Sequence, residues 1–164
     1  MQPSTHVTWL DILADSVPPA VFDSHVAHAH TLRTLHLRIA FLHAPMIEAL
    51  TRALTGQALK LTHLSICCED IGEQQTQERK VLLKSASKWL LAAATLELLE
   101  IMVEPRAAHN YPKSFDAIVK AVSKRGAKGM PCRSVWVGQA TMGDCTRTQA
   151  LAAELGVADI VYVW

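Results

Sequence analysis

Apolar residues recur along the chain at one spacing. In "LRTLHLRIAFL", Leu32, Leu35, Leu37 and Leu42 fill the template LxxLxLxxxxL. The template also lies over "LTHLSICCEDI" through Leu61, Leu64, Ile66 and Ile71, and over "CRSVWVGQATM" through Cys132, Val135, Val137 and Met142. "LELLEIMVEPR" matches with Leu96, Leu99 and Ile101 and departs at Arg106, and a shorter copy, "ADIVYVW", contributes Ala158, Val161 and Val163. The second template positions, Leu35, Leu64, Leu99, Val135 and Val161, stand 29, 35, 36 and 26 residues apart. Self-similarity at such intervals is the mark of a repeat architecture. Each central segment alternates apolar with other residues and favours branched side chains, which predicts a short strand.

Helical spacing fills the intervals. "APMIEALTRALTG" places Met46, Ile47, Leu50 and Leu54 on one side and stops at Gly56, a terminator able to take positive φ. "ERKVLLKSASKWLLAA" carries Val81, Leu82, Ser85, Trp89 and Ala92. "SFDAIVKAVSKRG" opens on Ser114 as N-cap, repeats Phe115, Ile118, Val119 and Val122, and ends in Lys124, Arg125 and Gly126. "RTQALAAELG" is the fourth helix, closing at Gly156, and a short helical segment over residues 8–16 is expected to cap the first unit. Strand and helix thus alternate four times before a last strand, which demands parallel pairing because each helix returns the chain to the starting edge.

Two architectures satisfy that order: an open sheet covered on both faces, as in a flavodoxin-like three-layer α/β domain, or a β-α solenoid with its helices on one side. Strands buried on both faces read as continuous apolar runs. Here the alternate positions hold Thr34, His36 and Arg38, then His63, Ser65 and Cys67, then Leu98, Glu100 and Met102, then Ser134, Trp136 and Gly138, then Ile160, Tyr162 and Trp164. One face is therefore largely polar or amphipathic, and a right-handed solenoid of about four to five parallel strands is the expected fold. Residues 1–24 form its N-terminal cap segment and residues 25–164 the repeat domain.

These LxxLxLxxxxL units of 26 to 36 residues resemble leucine-rich repeats of the ribonuclease-inhibitor-like class, and "TLRTLHLRIAFL" is similar to the repeat regions of fungal F-box proteins. The resemblance spans residues 24–164. The ninth template position, where the family often has Asn or Cys, holds Ala40, Glu69, Glu104 and Ala140, so the turns depart from the family pattern. The first 24 residues lack the Leu-Pro-led pattern of an F-box. A solenoid normally closes on a polar cap, whereas this sequence stops on a strand, which implies a fragment or an edge that pairs two copies.

The resemblance implies a non-catalytic role in protein binding, on a concave face built from the alternate strand positions: His36, Arg38, His63, Glu100, Met102, Trp136, Tyr162 and Trp164. Trp, Tyr and Arg are the residues most enriched at interface hot spots. A homodimer through the C-terminal edge strand, at Val161, Val163 and Trp164, is a second expectation.

Composition narrows the partners. The 164 residues are 50% hydrophobic, enough for one substantial core, and 16 basic against 15 acidic residues leave a net charge of +1. Nothing in that balance favours a nucleic acid backbone. The N-terminal "MQPSTHVTWLDILADSV" has no basic patch and carries two aspartates, unlike a secretory leader. The longest apolar run, residues 89–96, is far short of the roughly 18 to 20 residues of a membrane helix. Cys67, Cys68, Cys132 and Cys145 form no CxxC, so thiols in a reducing cytoplasm or nucleus are expected.

Candidate chemistry is sparse. His25, His28 and His30 precede His36 closely, but on a helix His25 and His28 share a face that His30 leaves, and His36 belongs to the strand. The cluster reads as a repeat boundary, with no metal and no cofactor expected. The loops after the strands hold Glu69, Asp70, Glu104, His109, Asp144 and Cys145. Cys145 with His109 has the elements of a nucleophile and base, without a flanking signature. "GQATMG" lacks phosphate-loop spacing. The alternative function is a small-molecule or enzymatic site at these C-terminal strand ends.

Overall fold

The structure is a computed structural model that describes residues 7–14, 17–21, 30–41, 43–56, 58–68, 76–102, 112–130, 134–138 and 159–163. Alternation in the sequence becomes alternation in burial. In strand β2 (Thr34–Ile39), Leu35, Leu37 and Ile39 are buried while Thr34 and His36 are half-buried and Arg38 is exposed. Strand β3 (His63–Cys68) buries Leu64, Ile66 and Cys68, and strand β4 (Leu98–Met102) buries Leu99 and Ile101. Each such Leu or Ile contributes about 1.5–3 kcal/mol through the area it withdraws from water.

Strand β1 (Trp9–Ala14) precedes these, and β5 (Ser134–Gly138) and β6 (Asp159–Val163) follow. All pairings are parallel, and the order across the six-stranded sheet is the order along the chain. The protein is therefore of the parallel α/β class. Three strand starts share one backbone device: the Thr8 carbonyl accepts from the N–H groups of Arg33 and Thr34, that of Arg33 from Thr62 and His63, and that of Thr62 from Glu97 and Leu98. Threonine hydroxyls reinforce it, Thr31 donating to Val7 O and Thr95 to Leu61 O, each at 2.9 Å. At the intervening unit Lys60 holds the equivalent place, and the Arg33 guanidinium bonds Leu32 O instead, at 3.2 Å.

After the three-residue α1 (Pro19–Val21), helices α2 (Ala44–Thr55), α3 (Thr76–Ala92) and α4 (Pro112–Ala127) join one core with the buried strand rows. From α2 come the expected Met46, Ile47, Leu50 and Leu54. From α3 come Leu82, Ser85 and Trp89 as expected, with Leu83, Ala86 and Leu90 beside them. Trp89, wholly buried, donates its indole N–H to Thr51 Oγ1 at 2.9 Å, and Thr51 donates in turn to Ile47 O at 2.7 Å, tying α3 to α2. From α4 come Ile118, Ala121 and Val122.

The helix ends differ from expectation. Gly56 stands at φ −77°, and its value is space, because a Cβ there would lie 2.8 Å from Arg52 O. Helix α4 starts at Pro112, two residues before the expected cap, with proline in the first turn where its missing N–H costs nothing. It runs past Gly126, and the left-handed residue is Gly129 at φ +66°. Arg125, in the last turn, is fully buried: its guanidinium donates to the carbonyls of Leu90 (2.6 Å), Ala93 (2.8 Å), Ala94 (2.9 Å) and Leu96. One side chain thus supplies donors to the carbonyls where α3 ends, of which that of Ala93 also accepts from the Leu96 N–H, and its charge meets the negative end of that helix.

One further expectation is corrected. Strand β1 stands at Trp9–Ala14 in place of the helical cap expected over residues 8–16, and the described residues hold six strands where four to five were expected. Leu10, Ile12 and Ala14 pack on the core, and that period-two contact decides the conformation over a helical reading of Trp9, Leu10, Ile12 and Leu13. The fourth helix, at 147–156, lies outside the described residues.

Candidate binding face

The register lines the residues that alternate with the core positions into rows. Trp9, Thr34, His63, Leu98, Ser134 and Asp159 form the first, and Asp11, His36, Ser65, Glu100, Trp136 and Val161 the second. Leu13, Arg38, Cys67, Met102, Gly138 and Val163 form the third. Cys67 is half-buried in this face and Cys68 buried in the core, so the adjacent thiols fall on opposite sides of β3.

A zigzag of side chains crosses the first four strands between the first two rows. Trp9 meets His36 edge-on with ring centroids 5.7 Å apart, and His36 meets His63 in the same manner at 4.8 Å. His63 Nε2 lies 3.2 Å from Glu100 Oε2. A carboxylate oxygen accepts, so in such a bond the imidazole N–H is the donor. His36 Nε2 is buried without a hydrogen-bond partner among the described residues, and Ser65, on β3 in register with His36, is only 6% exposed, so the imidazoles pack closely against the sheet. Diagonal contacts of this length are within reach of large side chains on neighbouring strands.

Around the zigzag the surface is open. The Arg38 side chain is 56% exposed, at 3.9 Å from Asp11, an ion pair too loose and wet to hold the guanidinium tightly. Trp9 is 55% exposed and Leu13 74%. This part of the face carries Arg38 beside Asp11 and Glu100.

Of the sequence-predicted residues, His36, Arg38, His63, Glu100 and Met102 share this face, and Trp136 takes the register position beside Glu100. Tyr162 does not join them. Strand β6 pairs Val135 with Ile160 and Val137 with Tyr162, one residue out of phase with the template, so Tyr162 falls in the row of Leu37, Ile66 and Ile101 and Val161 takes the place beside Trp136. A one-residue slip exchanges the faces of a strand. Trp164, the histidines at 25 and 28, and the loop residues Glu69, Asp70, Glu104, His109, Asp144 and Cys145 lie outside the described residues.

Sequence reading missed Trp9, Asp11 and Leu13 because their segment was assigned to a helix. The signal was present: Leu10-x-Ile12 repeats Leu35-x-Leu37, with Leu10 and Leu35 25 residues apart, much like the last interval of the ladder. Among the described residues no three His, Cys, Asp or Glu side chains converge as a metal site, and no helix is long and apolar enough to cross a membrane. Comparison with protein-family models, with curated proteins and with solved structures gives no match.

Proposed function

We propose that this protein is a leucine-rich-repeat-like solenoid that acts without catalysis, presenting the sheet face opposite its helices to a protein or peptide partner. The observation that carries the reading is the sequential order of the sheet, with the buried apolar rows of β2, β3 and β4 joined to the helices in one core. Parallel crossovers are almost always right-handed, so crossovers that all advance in one direction put every helix on the same side. A flavodoxin-like sheet reverses direction, in the order 2-1-3-4-5, and covers both faces. The carbonyl device repeated at Thr8, Arg33 and Thr62 supports a repeat in the backbone itself. Exposed Trp9 and Arg38 flanking a preorganised imidazole–carboxylate pair are the chemistry of an interface centre.

The test is affinity capture from source-cell extract, followed by calorimetry with the purified partner. A His63→Ala/Glu100→Ala variant is compared with the parent and with Lys88→Ala/Lys120→Ala on the helix side. The reading requires a partner whose affinity falls about tenfold or more in the first variant only. Equal affinity for all three proteins would overturn it.

A further inference from the structure

Five large apolar residues are exposed among those described, and three of them, Val7, Trp9 and Leu13, stand on or next to β1. Among the described residues that strand is an edge of the sheet, with one neighbour, β2. Half of an edge strand's backbone N–H and C=O groups point away from its neighbour, which is why edges are commonly blunted by lysine, proline or a bulge. The strand WLDILA has neither lysine nor proline, and its one charge, Asp11, is paired with Arg38.

We propose that β1 is a homodimerisation edge: two copies pair β1 against β1, antiparallel, about a two-fold axis through Asp11. This inference rests on the edge of β1 and shares Trp9 and Arg38 with the proposed binding face. Opposed residues on paired strands share a face, so only registers that match odd positions with odd positions keep the cores of both copies on one side. Centring the axis on Asp11 sets Trp9 of each copy against Leu13 of the other, and Leu10 against Ile12. Both strongly exposed residues of the strand are covered twice over, and the half-buried pair continues the core across the junction. Moving the axis by one residue to either side sets Asp11 against Leu13 or against Trp9 and leaves an apolar partner uncovered. The cost of the chosen register is Asp11 opposite its own copy, moderated by one Arg38 guanidinium from each side. A self-complementary patch of this kind closes under two-fold symmetry and does not propagate into fibres.

One short edge per copy is a small interface, so the association is weak and concentration-dependent. Sedimentation of the full chain between about 5 and 500 µM should show the mean mass rising from the monomer's 18.0 kDa towards twice that value. Leu13→Lys should weaken dimerisation by about tenfold or more, because it buries an ammonium against the opposing indole. Leu91→Lys, which alters an exposed apolar residue of α3, should leave dimerisation unchanged. A constant monomer mass, or equal behaviour of the two variants, overturns the proposal. The register has its own test. Trp9→Cys/Leu13→Cys should form interchain disulfides on mild oxidation, above the level given by the native cysteines. Leu13→Cys alone should not, because the two copies of residue 13 stand roughly 13 Å apart along the strands. Equal cross-linking by the single variant overturns it.

Discussion

Replacing Arg125 with methionine keeps an unbranched apolar stem while removing the guanidinium. Four carbonyls then lose a donor: those of Leu90, Ala93, Ala94 and Leu96, where α3 turns towards β4. Leaving a buried acceptor unpaired costs about 1–3 kcal/mol, and the charge that no longer has to be dehydrated returns part of the sum. Losing several hydrogen bonds from a charged donor, less the dehydration that is recovered, leaves a net cost of about 3–5 kcal/mol, a large share of the ~5–15 kcal/mol that holds an average domain together. With a urea slope of about 2 kcal/mol per molar, the unfolding midpoint should fall by about 1.5–2.5 M at unchanged slope. Arg125→Lys should recover part of the loss, because one ammonium can reach some of these carbonyls but lacks the planar fork that spans them. The assay is equilibrium urea unfolding followed by circular dichroism. A methionine variant within about 1 kcal/mol of the parent, or more stable than it, would refute the reasoning and mean that the dehydration cost of the guanidinium cancels its bonds.

Other perturbations test the packing. Thr51→Val should cost about 1–3 kcal/mol in urea unfolding by leaving the buried Trp89 indole N–H without its acceptor, Trp89→Phe should cost more because it also opens a cavity, and the double variant should cost less than their sum, since both remove one bond. Thr95→Val should cost about 1 kcal/mol, by losing the hydroxyl that holds the start of β4 to Leu61. Ser87→Ala, which removes a solvent-facing hydroxyl bonded only within its own helix, should stay within about 0.5 kcal/mol of the parent in the same assay. Leu64→Ala, in the third of six strands, should cost about 2–5 kcal/mol by opening a cavity between the sheet and its helices.

The core rows of β2, β3 and β4 and the buried stripe of α2 were readable because burial on one side imposes a strict period on the sequence. Other features carried no such period. Residues 9 to 13 suit a helix as well as a strand when taken alone, and pairing with β2 settles the matter. Lys124-Arg125-Gly126 has the composition of a solvated helix end, yet Arg125 is drawn inwards by carbonyls some thirty residues away along the chain, a contact no local pattern encodes. In β6 the run Ile160-Val161-Tyr162-Val163 is apolar throughout, so either phase satisfies a template and pairing with β5 selects one. On the candidate face the rows were legible, but the link between His63 and Glu100 is diagonal and depends on the reach of the side chains.

The central claim is that one face of the sheet stays open for a partner as far as β5, and acrylamide quenching of Trp136 tests it most directly. In a Trp9→Phe/Trp164→Phe variant two indoles remain: Trp89, wholly buried in the core, serves as the internal reference for Trp136. The account predicts two populations, a quenchable red-shifted emission from Trp136 beside a protected one from Trp89. Emission that is protected throughout would mean that both faces of the sheet are covered, and would contradict it.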